Sequence, residues 1–249
     1  MIEIRGLSKR FGRRRVLDGL DLDVRTGETL VVMGPSGTGK SVLLKLVLGL
    51  LQPDAGSVRI DGTETVGLSE RQLGPVRRRF GMLFQGAALL DSMTVGENVA
   101  LAMQEHARGM DGAEVRRRAL ERLEWVGLRD AAGLMPASLS GGMRKRAGLA
   151  RALAMDPEYI LYDEPTTGLD PITGDVINQL IRDMQRRLRV TSVVVTHDVR
   201  SAYAVGDRIV LLHQGRIRYD GTAEETRGTG DAMMRQFIEG SSRGPIQPV

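Results

Sequence analysis

The octapeptide GPSGTGKS, Gly34-Pro35-Ser36-Gly37-Thr38-Gly39-Lys40-Ser41, has the residue types and spacing of a phosphate cradle, G-x-x-x-x-G-K-[ST] in full. Its glycines let the backbone curl until successive N–H groups face an anion. Lys40 can reach the β- and γ-phosphates, Ser41 can offer its hydroxyl to Mg²⁺, and a helix starting here presents its positive end. An ordinary glycine-rich turn is the plainer alternative. The apolar run TLVVM just before it and the helical pattern just after it argue for the cradle.

Further candidates cluster at the ends of other apolar runs. YILYDEP ends in Asp163 and Glu164, and ligands of parallel sheets bind beyond the carboxyl ends of the strands. There Asp163 suits holding Mg²⁺ through water and Glu164 suits polarising an attacking water. His197 closes TSVVVTH, where its imidazole can bond a γ-phosphate; His106 and His213 lack such a setting and read as incidental. Gln85, after RFGMLF, can offer its side-chain carbonyl to a metal, and Phe11 offers a flat face to an adenine. Taken singly, this Gln is a turn residue and this Phe a core residue. A second anion site is written in Ser140-Gly141-Gly142, an N-cap before the helical run MRKRAGLARALAM. One nucleotide does not need two cradles in a chain, whereas two facing chains need both, each lending its Ser140 helix to the other.

Positioning these residues calls for an α/β fold with a buried, mostly parallel sheet, because short β-branched runs alternate with longer helical patterns. The clearest strands are 29–33, 79–84, 159–163 and 191–197, and the clearest helices are 40–50, 173–188 and 199–205. IEIRGL, LDLDV and RIVLLHQGRIRYDG read as hairpin material of a smaller antiparallel sheet. From Thr94 to Leu128 the pattern is helical throughout, a subdomain set on the core. The expected layout is one domain over 1–240, with a helical subdomain at about 90–150, and a tail at 241–249.

In this order the motifs resemble the ABC transporter ATPase family: phosphate loop, Gln85, LSGGM (139–143), LYDEP, GLD (168–170) and His197. That resemblance covers nearly the whole chain. It implies an ABC-type cassette of the phosphate-loop NTPase class, with a small antiparallel subdomain and a helical subdomain, that binds ATP and Mg²⁺. It also implies a homodimer closed around two ATP, in which Ser140, Gly141 and Gly142 touch the partner's γ-phosphate. By the same resemblance Glu164 is the general base, His197 the switch histidine and Asp170 a crosstalk residue. Met143 stands where the family signature LSGGQ has Gln. The phosphate contact rests on the Ser140 hydroxyl, glycine backbone and helix dipole, so the departure marks a branch without breaking the site. LSGGM, DEPTTGLDPIT (163–173) and MMRQFIEGSSRGPI (233–246) resemble the ATPase subunits of Mla/Mce-type lipid transporters. This implies membrane permease subunits, a small regulatory subunit, a lipid-binding Mce-type subunit, and a peripheral place on the cytoplasmic face of the inner membrane.

Composition is compatible with this reading. The 249 residues contain no Cys, which removes disulfide frameworks and Cys-based zinc sites. A net charge of +4 permits an anionic surface without requiring one. The RRR runs at 13–15 and 77–79 lack interleaved aromatics, so no nucleic-acid partner is expected. The N-terminus has no apolar signal region, and SVLLKLVLGLL is short of the roughly 18 apolar residues of a spanning helix. Rival readings are an ABC ATPase for another cargo, one acting on nucleic acid or ribosomes, and a nucleotide-holding module without turnover. The presence of Glu164 and His197 disfavours the last. The apolar positions Met233, Met234, Phe237 and Ile238 make one face of a helix over 231–239. That face must dock either on its own domain or, with SSRGPIQPV after it, on a neighbouring chain.

Overall fold

The computed structural model describes residues 1–106 and 109–247. The tail residues 248 and 249 therefore lie outside the described residues. The chain forms two compact units, Met1–Gly74 with Thr191–Val249, and Pro75–Val190.

The first unit opens with β1 (Ile2–Phe11) and β2 (Arg14–Val24), an antiparallel pair in which Ile2 faces Val24 and Phe11 faces Arg14. Apolar residues alternate along both strands, so Ile2, Ile4, Leu20, Leu22 and Val24 are buried while Glu3, Asp21 and Asp23 are not. Next come β3 (Thr29–Met33), α1 (Lys40–Val47), β4 (Ala55–Ile60), β5 (Thr63–Glu64) and α2 (Glu70–Arg77). The small antiparallel sheet has the order β2-β1-β4-β5. β3 has no polar face; all five residues are buried, as a central parallel strand requires.

The second unit contains β6 (Phe80–Leu83), α3 (Val95–His106), α4 (Gly112–Trp125), α5 (Gly141–Ala152), β7 (Tyr159–Asp163) and α6 (Pro171–Leu188). β6 and β7 are parallel neighbours. The chain's one Trp, Trp125, lies between two guanidinium groups, Arg122 at 3.9 Å and Arg187 at 4.1 Å from its ring centroid. That sandwich joins α4 to α6, each cation contributing about 0.5–2 kcal/mol.

The chain then returns to the first unit through β8 (Thr191–Thr196), α7 (Val199–Val205), β9 (Arg208–His213), β10 (Arg216–Thr222), α8 (Ala223–Arg227) and α9 (Ala232–Glu239). β3 runs parallel to both β8 and β9, and β10 folds back antiparallel on β9. RIVLLHQGRIRYDG is thus a hairpin, but its sheet is the parallel one and not the small antiparallel sheet. The physical reason is visible in β9, whose unbroken apolar run Ile209–Leu212 is fully buried, with His213 buried after it. α9 does bury Met234, and beside it Gln236, which the apolar pattern passed over. The Gln236 amide accepts from the Ile246 N–H at 2.6 Å and donates to the Ile246 carbonyl at 2.8 Å and the Ser241 carbonyl at 3.1 Å. Within the chain the described part of the tail is therefore clasped to its own last helix.

Candidate functional site

In the first unit the register of β3 on β8 pairs Met33 with Thr196. The phosphate loop and His197 consequently leave the sheet at the same strand end, from neighbouring strands. The loop is braced before any ligand is considered. Thr38 Oγ1 donates to the Pro35 carbonyl at 2.9 Å, and Arg14 donates to the Gly37 carbonyl at 2.9 Å. Lys40 is buried, its Nζ donating to the Gly34 carbonyl at 2.8 Å and the Pro35 carbonyl at 3.2 Å. Gly39, the N-cap of α1, has φ 103° and no side-chain cap. A Cβ there would lie 2.7 Å from Val16 Cγ1, so both conformation and space demand glycine. Ser41 is the second residue of α1 and half-buried. Phe11 is 48% exposed at the β1–β2 turn, with the Lys9 ammonium 5.6 Å from its ring centroid. His197 is exposed. A cavity of about 270 Å³ is lined by Arg14–Val16, Pro35–Thr38, His213–Gly215 and Pro245–Gln247. His213 is buried against it, and desolvation pushes its imidazole below the ordinary value.

In the second unit Leu83 pairs with Tyr162, so the segment carrying Gln85 and the pair Asp163-Glu164 likewise emerge at one strand end. Both carboxylates are buried, whereas Gln85 is exposed. Glu164 has φ 49°, a left-handed backbone rare for a non-glycine residue and costing about 1–3 kcal/mol. Its carboxylate accepts from Thr167 Oγ1 at 3.1 Å. Ser140 is exposed and caps α5, its Oγ accepting from the Met143 N–H at 3.2 Å. Gly142 is buried, and a Cβ on it would meet Thr173 Cγ2 at 2.4 Å. Asp170 caps α6, accepting from the Ile172 and Thr173 N–H groups and from Thr173 Oγ1 at 2.5 Å. The Thr173 hydroxyl and these N–H groups hold its carboxyl below the ordinary value.

The structure thus gathers the sequence candidates into two sets. Phe11, the phosphate loop and His197 belong to the first unit, and Gln85, Ser140–Gly142, Asp163, Glu164 and Asp170 to the second. Sequence reasoning missed Arg14, Thr167 and Lys145. Lys145 Nζ is buried and donates to the Gln85 carbonyl at 2.5 Å and the Glu164 carbonyl at 2.9 Å. A signal was present for it: Gly142, Lys145, Leu149 and Ala152 form a buried stripe at helical spacing, with the charge on the apolar side.

A glycine-rich loop after a buried parallel strand, carboxylates at another strand end, and a Ser-capped helix start are the features of a nucleotide-hydrolysing cassette. The ABC transporter family model matches residues 17–167. The intermembrane phospholipid transport system ATP-binding protein MlaF of Haemophilus influenzae is 42% identical over 99% of this chain and 93% of its own. The probable ribonucleotide transport ATP-binding protein mkl of Mycobacterium leprae is 43% identical over 98% of this chain and 70% of its own. Among solved structures, the dimeric post-hydrolysis state of the cassette MJ0796 bound to ADP and Pi superposes with a TM-score of 0.83. It is 37% identical and covers 90% of this chain and 99% of that one. This chain belongs to the ABC transporter family and is an ATP-binding, ATP-hydrolysing cassette.

Proposed function

We propose that this ATPase works as a homodimer closing around two ATP and drives a membrane permease that moves phospholipid across the envelope of a Gram-negative cell. Support for the cargo is the MlaF relative, matched over nearly the full length of both chains. The mkl relative, named for ribonucleotide transport at the same level of identity, keeps a second cargo open. Among the described residues no helix is long and apolar enough to cross a membrane, so the permease subunits must supply the spanning segments. A small regulatory subunit and a lipid-binding Mce-type subunit complete the proposed assembly on the cytoplasmic face of the inner membrane. Purifying the native complex and extracting its bound small molecules separates the readings. Phospholipid is expected, and ribonucleotide without lipid would overturn the assignment.

Glu164 carries the chemical step in this reading. The observation behind it is a carboxylate buried at the end of β7, held by Thr167 and next to Asp163. It takes the proton of a water as that oxygen bonds the γ-phosphorus, while the bond from phosphorus to the β–γ bridging oxygen breaks and ADP leaves. Lys40 and the phosphate-loop N–H groups hold the β- and γ-phosphates, Phe11 stacks on adenine, and His197 bonds the γ-phosphate. The donors assigned to Mg²⁺ are the Ser41 hydroxyl, the Gln85 amide oxygen and the Asp163 carboxylate. All are oxygens, as this hard cation requires, and among the described residues no cluster of three His, Cys, Asp or Glu competes for it. When bound, the cation neutralises charge on the phosphates. A positioned base contributes about 10²–10⁴-fold, so Glu164→Gln should nearly stop turnover while ATP still binds. Turnover above half of wild type would remove Glu164 from the role.

A further inference from the structure

α5 does more than present Ser140. Lys145, Gly148 and Arg151 recur every third residue along it, and all three meet the loop that carries Gln85. Arg151 donates to the carbonyls of Ala87, at 3.0 Å, and Ala88. Both alanines have left-handed backbone, φ 61° and 50°, a conformation that needs outside support. Gly148 leaves room for the same loop, since a Cβ there would meet Leu83 Cδ1 at 2.8 Å and Ala87 Cβ at 3.1 Å. Lys145 differs from Arg151 in one respect: its ammonium also binds the carbonyl of Glu164. One buried cation therefore holds the backbone of two residues assigned to the chemical step, from the helix whose N-terminus is assigned to the partner's phosphate.

We propose that Lys145 is a positioning residue for ATP hydrolysis, locking the α5 N-terminus, the Gln85 loop and the backbone of Glu164 into one block. The proposal rests on the reading of Glu164 as general base. The peptide carbonyl that Lys145 grips belongs to a residue with φ 49°, so the grip fixes where the strained backbone aims the carboxylate. An apolar side chain cannot substitute, because it would leave two carbonyls without this donor. Burial pushes the Lys145 ammonium down from its ordinary value, while the charges of Asp163 and Glu164 push it back up.

The test compares Lys145→Met and Lys145→Arg in the full-length protein, alone and combined with Glu164→Gln, with ATP binding and melting followed beside turnover. Misplacing a catalytic group by about 1 Å costs on the order of a hundredfold. Lys145→Met should therefore lower kcat about tenfold to a hundredfold while KM for ATP moves less than about threefold. Lys145→Arg, which keeps two donors and the charge, should recover most of kcat. In the Glu164→Gln background Lys145→Met should add little further loss, because the group being positioned is already gone. A Lys145→Met protein with more than half of wild-type kcat overturns the proposal, as does an equal proportional loss in both backgrounds. Where Lys145→Met does not accumulate as folded protein, Lys145→Leu, which likewise has no donor, takes its place, and a kcat above half of wild type overturns the proposal equally. Glu164→Gln alone separates the two failures: if it stays active the general-base reading falls, and if it is inactive while Lys145→Met is active only the positioning role falls.

Discussion

The starts of α1 and α5 are the two helix N-termini proposed to meet phosphate, and they are built in opposite ways. α1 begins after Gly39, whose left-handed backbone supplies no capping side chain, and its loop is closed by Lys40, Thr38 and Arg14 bonding loop carbonyls. α5 begins with Ser140, whose hydroxyl already accepts from the Met143 N–H, and the cap stands exposed. It carries no lysine aimed at its mouth; its lysine, Lys145, points back into the unit. The contrast separates two tasks. On the proposed reading, the start that holds a triphosphate by itself is buried, braced and charged, whereas the start that completes another chain's pocket is exposed and rigid from behind.

The largest expected effect comes from breaking each start separately. Lys40→Ala removes a charged donor from the loop; charge-assisted hydrogen bonds are worth about 1.5–3 kcal/mol, so ATP affinity should fall by at least about tenfold. Ser140→Arg should leave ATP binding by the isolated chain within about threefold and yet abolish turnover, because the bulk lies at the surface meant for a partner. Mixing the two variants gives some dimers with one site that has neither lesion. ATPase activity above that of either variant alone is the expected result. If Ser140→Arg weakened ATP binding as much as Lys40→Ala, the division of tasks between the two starts would be wrong.

Gly142→Ala sharpens the description of α5 as rigid from behind. The added Cβ falls 2.4 Å from Thr173 Cγ2, and Thr173 is itself fastened to Asp170. Relief requires moving either the α5 start or the Asp170 cap of α6. Overpacking of this kind costs about 1–3 kcal/mol, so melting temperature should drop measurably and turnover should fall with ATP binding retained. Unchanged turnover would mean that the first turn of α5 can shift without consequence, against the role given to it here.

The phosphate loop, the strand-end carboxylates and His197 were legible because each pairs an apolar run with a polar terminus, a pattern that needs only local sequence. β3, β7 and β8 were legible for the same reason: buried parallel strands are unbroken apolar runs. β9 was harder, since a hairpin is visible in sequence but its host sheet is decided by burial on both faces. α2 carries Gly74-Pro75 inside it and shows no helical period, which hid it. Lys145 sits in MRKRAG, where Arg144 and Arg146 on either side suggest a solvated basic surface, and only its phase on the helix marks it as buried. The Gln236 clasp on the tail depends on a side-chain amide bonding backbone ten residues away, and no spacing rule encodes that.

The smallest effect concerns the residue that departs from the family signature. Met143 contributes to the α5 start through its N–H, which donates to Ser140 Oγ, and that group is common to every residue but proline. Its side chain is half-buried on the first turn, where an amide of similar length fits without a new cavity. Met143→Gln therefore keeps the cap, the helix dipole and the glycine backbone, and adds at most one peripheral hydrogen bond. Such a bond is worth about 0.5–1.5 kcal/mol, so kcat/KM for ATP should change less than about tenfold in either direction. Met143→Pro is the contrasting variant, because it removes the N–H that Ser140 caps while keeping a helix-compatible φ. A large change with Gln and a small one with Pro would reverse the assignment, placing the function of position 143 in its side chain and not in the backbone that the α5 start presents.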